Sequence, residues 1–259
     1  ADGVGLLRAE FLALSAGKHP AAILEDAGIQ EKVALVGFSM GGGEVARFLT
    51  KQGAHRVSKA VLISSVVPYM LKTDDNPHGV PQATFDDMTA GMKKDREHFF
   101  TGFFKDFYGV GAMSSPVSDE VLMNSWRQTM MAGLRPTLGA AKAFATTDFR
   151  PDLASFTVPT LVIHGTADKT VPIDATGRVV AKQVPGAELI EYDGSAHGLF
   201  ATDKEKLIAD LVRFVPPAHQ ATLADYYRSR QMGCVVFTVD EKLTGRPQVS
   251  NDAVAEFAV

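Results

Sequence analysis

The segment Gly37–Gly41 places a serine between two glycines in the pattern G-x-S-x-G. It follows the apolar run Val33–Val36 and precedes a glycine-rich stretch with the character of a helix start. This order predicts a strand, a sharp turn and a helix, with Ser39 at the apex of the turn and its hydroxyl lifted clear of the sheet. A serine in that position can attack an acyl carbon, provided that a neighbouring base accepts its proton.

An aspartate and a histidine follow two later strand signals. Asp168 comes just after the apolar run that ends at Ile163, and His197 comes just after the short strand signal Glu188–Tyr192. Because open sheets build their sites at the carboxyl ends of the strands, we expect these side chains to meet the serine there. A histidine can accept the serine proton, and a carboxylate can hold the tautomer and orientation of that histidine. The sequence therefore predicts a triad of Ser39, His197 and Asp168.

Strand and helix signals alternate around these residues. Strands are predicted at 33–36, 59–64, 158–165 and 188–192, and helices after Ser39, over 173–182, and after a capping-box pattern formed by Thr202 and Glu205. Such alternation is typical of an α/β fold with a mostly parallel sheet covered on both faces. The strand at 33–36 is expected to be buried near the centre of that sheet.

Residues 66–150 interrupt the alternation with a region of helical character. Its large apolar side chains are Met70, Phe85, Met88, Met92, Phe99, Phe100, Phe103, Phe104, Met123, Trp126, Met130 and Met131. Each of them alone is most simply a core residue. As a group they could form a cap whose underside lines an apolar substrate pocket, and we predict that Phe38, Trp126 and Met130 line it.

Composition limits the classes of function that need to be considered. The 259 residues are 46% hydrophobic and carry a formal net charge of −4, which gives no electrostatic reason to expect a nucleic-acid partner or an anionic membrane. No apolar run approaches the roughly 20 residues that span a bilayer. Cys234 is the single cysteine, so neither an intrachain disulfide nor a cysteine-rich metal site is expected. A cytoplasmic protein acting on a small molecule fits these properties.

Residues from about 31 to 215 resemble the cofactor-free haloperoxidase and arylesterase (perhydrolase) branch of the α/β-hydrolase family. The resemblance runs through Val36–Arg47, through the 158–165 stretch VPTLVIHG and through Ala196–Leu199. It implies an α/β-hydrolase-like sheet with a helical cap at 66–150. It also implies esterase activity on carboxylic esters, often with formation of a peracid able to oxidise halide, and no metal, haem or other cofactor. One oxyanion donor would be the backbone N–H of Met40.

The two ends of the chain depart from that family. No pattern before Val33 predicts the leading strands that are usual in that family. In the family, a loop after one of those strands carries the second oxyanion donor. Residues 1–28 resemble a fragment of phosphoenolpyruvate-utilising enzymes, and residues 218–259 a fragment of a barrel amidohydrolase. These resemblances predict segments at 1–30, 31–215 and 216–259 and a composite chain, the alternative being a diverged natural hydrolase. For function, the alternative to an active ester hydrolase is a truncated or composite one without efficient activity.

Overall fold

The computed structural model describes residues 32–215, together with Leu24 and Gln30. Within this part, one sheet is formed by β1 (Val33–Phe38), β2 (Val57–Ile63), β3 (Thr160–Gly165) and β4 (Glu188–Tyr192). The strands lie in the order β1-β2-β3-β4, and all three pairings are parallel. The predicted α/β fold with a parallel sheet is therefore confirmed.

Helices connect these strands and cover the sheet. Helix α1 (Met40–Gln52) follows β1, and α2 (Gln82–Lys94), α3 (Arg96–Tyr108), α4 (Asp119–Met131) and α5 (Leu134–Thr146) lie between β2 and β3. Helix α6 (Gly177–Gln183) precedes β4, and α7 (Leu199–Thr202) and α8 (Lys204–Phe214) follow it. Short 3₁₀ helices occupy Ala54–Arg56, Arg150–Ser155 and Ile173–Ala175. None of the helices in the described residues is long and apolar enough to cross a membrane.

The two faces of the sheet bury different side chains because consecutive residues of a strand point in opposite directions. In β2, Ala60 and Leu62 join a core shared with Phe48 of α1, whereas Val61 and Ile63 join a second core shared with other strands, α7 and α8. All four of these β2 side chains are fully buried. The central strands are thus nearly continuous in apolar character, as expected of a sheet covered on both faces.

Two local expectations were wrong, and a third, the central position of the 33–36 strand, is not met among the described residues. β1 lies at the edge of the described sheet, and because it pairs with β2 alone there, most of its residues are only half-buried. The helix predicted over 173–182 is interrupted at Thr176, whose backbone is not helical and whose hydroxyl donates to the carbonyl of Pro172 at 2.8 Å. The capping box is also absent: Asp203 occupies the N-cap of α8, and the hydroxyl of Thr202 donates to its carboxylate instead.

Candidate active site

Ser39 lies between β1 and α1, at the turn that the G-x-S-x-G pattern predicts. Its backbone has φ 54° and ψ −120°, a region that residues other than glycine seldom occupy. The neighbouring chain fixes this conformation. The Ser39 N–H donates to the carbonyl of Ile63 at 2.9 Å, and the Ser39 carbonyl accepts from the N–H groups of Gly42 and Val66 at 3.1 and 3.2 Å. The serine is therefore held against the carboxyl end of β2.

The turn also brings β1 very close to the start of α1. A Cβ atom built on Gly37 would lie 2.4 Å from the carbonyl oxygen of Gly41, whereas a Cβ on Gly41 would meet nothing within 4 Å. We expect Gly37→Ala to lower the free energy of unfolding by about 1–3 kcal/mol, since backbone atoms must shift to admit the methyl group. Gly41→Ala should leave it unchanged or slightly raised, because alanine favours a helix.

Urea denaturation of the two alanine variants and the parent chain measures this difference. Gly41→Ala is the matched control, since it adds the same methyl group on the other side of the turn. Equal free energies of unfolding for the two variants would show that the close approach of strand and helix does not require glycine.

The three predicted triad side chains lie in one hydrogen-bonded row. His197 Nε2 lies 3.0 Å from Ser39 Oγ, and His197 Nδ1 lies 2.7 Å from Asp168 Oδ2. A carboxylate only accepts hydrogen bonds, so Nδ1 carries the proton and Nε2 is left free to accept the serine proton. His197 is 1% exposed and Asp168 is 7% exposed, so water does not compete freely for these bonds.

The carboxylate of Asp168 is held by its own loop as well. Its Oδ1 accepts from the backbone N–H groups of Thr170 and Val171 at 2.9 and 2.8 Å, which leaves Oδ2 directed at His197. Burial by itself raises the pKa of the Asp168 carboxyl. The positive charge of His197 in its protonated form, together with hydrogen bonds from His164 and His197, outweighs burial and holds this pKa well below its usual value. Asp168 is therefore ionised at neutral pH.

This shift predicts how stability responds to acid. A carboxyl whose folded-state pKa is depressed stabilises the fold above its unfolded-state pKa, which is about 3.9, and loses that contribution as the pH falls towards the folded-state value. Asp168→Asn should therefore remove part of the loss of stability below about pH 4. Urea denaturation of the parent chain and of Asp168→Asn between pH 3 and pH 7 would measure the free energy of unfolding of each as a function of pH. If the free energy of unfolding fell equally steeply below about pH 4 in the two proteins, the pKa shift assigned to Asp168 would be contradicted.

Two aromatic rings enclose the imidazole of His197. The ring centroids of Phe38 and Phe107 lie 4.9 and 4.8 Å from that of His197, and the Phe107 ring stands nearly perpendicular to the imidazole. The backbone N–H of Gly198 donates to the carbonyl of Phe107 at 2.7 Å. Helix α3 is thereby fixed to the loop that carries His197.

Comparison with known proteins gives the family. The model for the α/β-hydrolase fold matches residues 18–204. This chain belongs to that family. The match begins within the segment 1–30, for which the sequence predicts a different origin. The resemblances predicted for 1–28 and 218–259 fall outside the described residues, except at Leu24.

Individual relatives of this α/β-hydrolase are named for haloperoxidase and esterase activities. It is 40% identical to a non-heme chloroperoxidase of Kitasatospora aureofaciens, over 71% of this chain and 67% of the relative. It is also 40% identical to a bifunctional esterase/perhydrolase of Acinetobacter calcoaceticus, over 75% of this chain and 71% of the relative. The crystal structure of a bromoperoxidase from Bacillus anthracis superposes with a TM-score of 0.71 at 37% identity, covering 74% of this chain and 70% of that one.

The remaining predicted site residues of the hydrolase lie on two helices. Met40 is the first residue of α1, where backbone N–H groups have no acceptor within the helix. Trp126 and Met130 lie on α4, and the indole N–H of Trp126 donates to the carbonyl of Glu97 in α3 at 2.9 Å. That bond ties the two helices together, and the role of Trp126 and Met130 in a pocket stays a prediction. Within residues 32–215, no cluster of three or more His, Cys, Asp or Glu side chains is arranged to hold a metal ion.

Phe107 is the site neighbour that the sequence analysis did not identify. It extends a stripe of phenylalanines at intervals of four residues, Phe99, Phe103 and Phe107, along one side of α3. The spacing shows that these side chains share a face of the helix. It does not show that the last of them meets the histidine, because that depends on how α3 packs against a loop 90 residues further along the chain.

Proposed function

We propose that this α/β-hydrolase cleaves carboxylic esters of small molecules, with Ser39 as nucleophile. The observation that carries the proposal is the continuous row of hydrogen bonds from Asp168 through His197 to Ser39 Oγ. A serine hydroxyl is a weak nucleophile at neutral pH and becomes effective when a positioned histidine accepts its proton. The esterase/perhydrolase relative from Acinetobacter calcoaceticus supports the same class of reaction.

The first half of the reaction forms an acyl-enzyme. Ser39 Oγ attacks the ester carbonyl carbon while His197 Nε2 accepts the hydroxyl proton, and the carbonyl oxygen becomes an oxyanion. The N–H of Met40 is the proposed donor to that oxyanion. The tetrahedral intermediate then collapses, its bond to the alcohol oxygen breaks, and His197 returns the proton to the departing alcohol. Asp168 stays ionised and stabilises the imidazolium in between.

The second half repeats these steps with water. His197 accepts a proton from water as the water oxygen attacks the acyl carbon, the bond to Ser39 Oγ breaks, and the serine recovers its proton. The product is the free carboxylic acid. If hydrogen peroxide takes the place of water, the same transfer yields a peroxycarboxylic acid. This perhydrolysis is the finer form of the proposal and has the same residue requirements.

Labelling with a fluorophosphonate tests the proposal, because the probe reacts only with an activated serine. We expect stoichiometric labelling, located at Ser39 by peptide mass spectrometry, and turnover of p-nitrophenyl acetate that labelling abolishes. A chain denatured beforehand is the control for non-specific reaction. A folded chain that neither labels nor turns over the ester would support the alternative of a hydrolase without efficient activity.

A further inference from the structure

His164 is a buried ionisable side chain that the proposed reaction does not use. It is the last residue but one of β3, just before the loop that carries Asp168, and it is 0% exposed. Its Nε2 lies 2.9 Å from the carbonyl oxygen of Val171 and 3.4 Å from Asp168 Oδ2. The imidazole therefore lies inside the loop, close both to the far end of the loop at Val171 and to the carboxylate of Asp168.

The hydrogen-bond partners define which nitrogen of this imidazole carries a hydrogen. A carbonyl oxygen only accepts, so Nε2 of His164 must carry a hydrogen. Nδ1 has no hydrogen-bond partner among the described residues. It faces the first turn of α6 so closely that a Cβ atom on Gly177 would lie 2.8 Å from it. In the neutral imidazole the hydrogen therefore lies on Nε2, and Nδ1 is an acceptor without a partner among the described residues.

An unpaired buried acceptor such as this Nδ1 destabilises the folded chain, and an apolar side chain of similar size would not carry that cost. The advantage of histidine at this position must then come from its Nε2–H. We propose that His164 is a positioning residue for Asp168. Its Nε2–H donates to the Val171 carbonyl at the far end of the loop and lies 3.4 Å from Asp168 Oδ2, so that it fixes the loop with the carboxylate aligned with His197. This inference rests on the proposed function, since it assigns a role within the same triad.

Two replacements of equal length separate the hydrogen bond from the volume of the side chain. His164→Gln keeps an N–H donor at a reach similar to that of Nε2, whereas His164→Met fills the space without one. We expect His164→Met to lower kcat by about tenfold, because the loop loses the hydrogen bond to Val171 that holds it beside the carboxylate, and to leave KM within about twofold. His164→Gln should stay within about threefold of the parent kcat.

Val162→Ala is the matched control for lost stability. Val162 is a buried residue of the same strand, and its apolar side chain forms no hydrogen bond to the triad. We expect it to lower the free energy of unfolding while kcat, measured where the chain is folded, stays unchanged. Equal kcat losses in the Gln and Met variants would overturn the proposal, as would an unchanged kcat in His164→Met.

A spectroscopic readout keeps this test separate from the proposed function. The proton in the 2.7 Å bond between His197 Nδ1 and Asp168 should give a strongly downfield proton resonance, assigned by its disappearance in His197→Gln. We expect it to shift or broaden in His164→Met and to persist in His164→Gln. If the parent chain shows no ester turnover but its resonance responds in this way, the proposed function fails and the positioning role stands. A resonance indifferent to both replacements overturns the positioning role.

Discussion

Ser39→Ala should lower kcat for p-nitrophenyl acetate by about a million-fold and abolish fluorophosphonate labelling. The hydroxyl is the only part of this side chain that can form the acyl-enzyme, and it is the group that His197 Nε2 faces at 3.0 Å. The fold should survive. Serine and alanine are both L residues with a Cβ atom, so both experience the same strain at φ 54°, and the hydrogen bonds of the Ser39 backbone remain.

Steady-state kinetics on the purified variant, with circular dichroism to show that it is folded, measure this effect. Ser118→Ala is the matched control, because Ser118 is an exposed serine at the start of α4 and should retain full labelling and turnover. Labelling of Ser39→Ala at another serine, with turnover preserved, would show that the nucleophile lies elsewhere.

Asp168→Asn should lower kcat at neutral pH by about ten-thousand-fold, chiefly by reversing the tautomer of His197. The two backbone N–H groups of the loop are donors and need an acceptor, so they retain the amide oxygen in the place of Oδ1. The amide nitrogen must then face His197 Nδ1. Because that nitrogen donates, Nδ1 becomes the acceptor and the proton moves to Nε2, which can no longer take the proton of Ser39.

The kinetic control is Asp174→Asn, which makes the same chemical change at an exposed carboxylate paired with Arg178. We expect that variant to keep kcat within about twofold, since exposed ion pairs contribute little to stability. If Asp168→Asn lost less than about tenfold, the carboxylate would not be setting the tautomer, and the triad assignment would have to be withdrawn.

The sequence predicted those features of the structure that depend on a single local rule. Strand signals found β4 at its observed bounds and the other strands within a few residues, because apolar runs ended by glycine or turn residues have few other structures available. The convergence of Ser39, Asp168 and His197 could be predicted, because the carboxyl ends of parallel strands meet at one edge of the sheet.

Other features depended on contacts between distant parts of the chain. The break at Thr176 results from a side chain that competes for a backbone carbonyl, which helix periodicity does not reveal. The position of β1 at the edge of the described sheet depends on what pairs with it, not on its own apolar residues. The contact between Phe107 and His197 depends on the packing of α3, and the position of His164 Nε2 beside Asp168 depends on the path of the loop.

The attachment of α3 to the histidine loop has a consequence for how substrates enter. The last turn of α3 supplies both the ring against the imidazole and the carbonyl that the N–H of Gly198 needs. A hinge motion that lifted this end of α3 would expose one side of His197 to water and break that backbone bond in the same movement. We therefore expect His197 to act as the base only while this end of α3 is docked. A movement that opens the site between catalytic cycles is therefore expected at residues other than the last turn of α3.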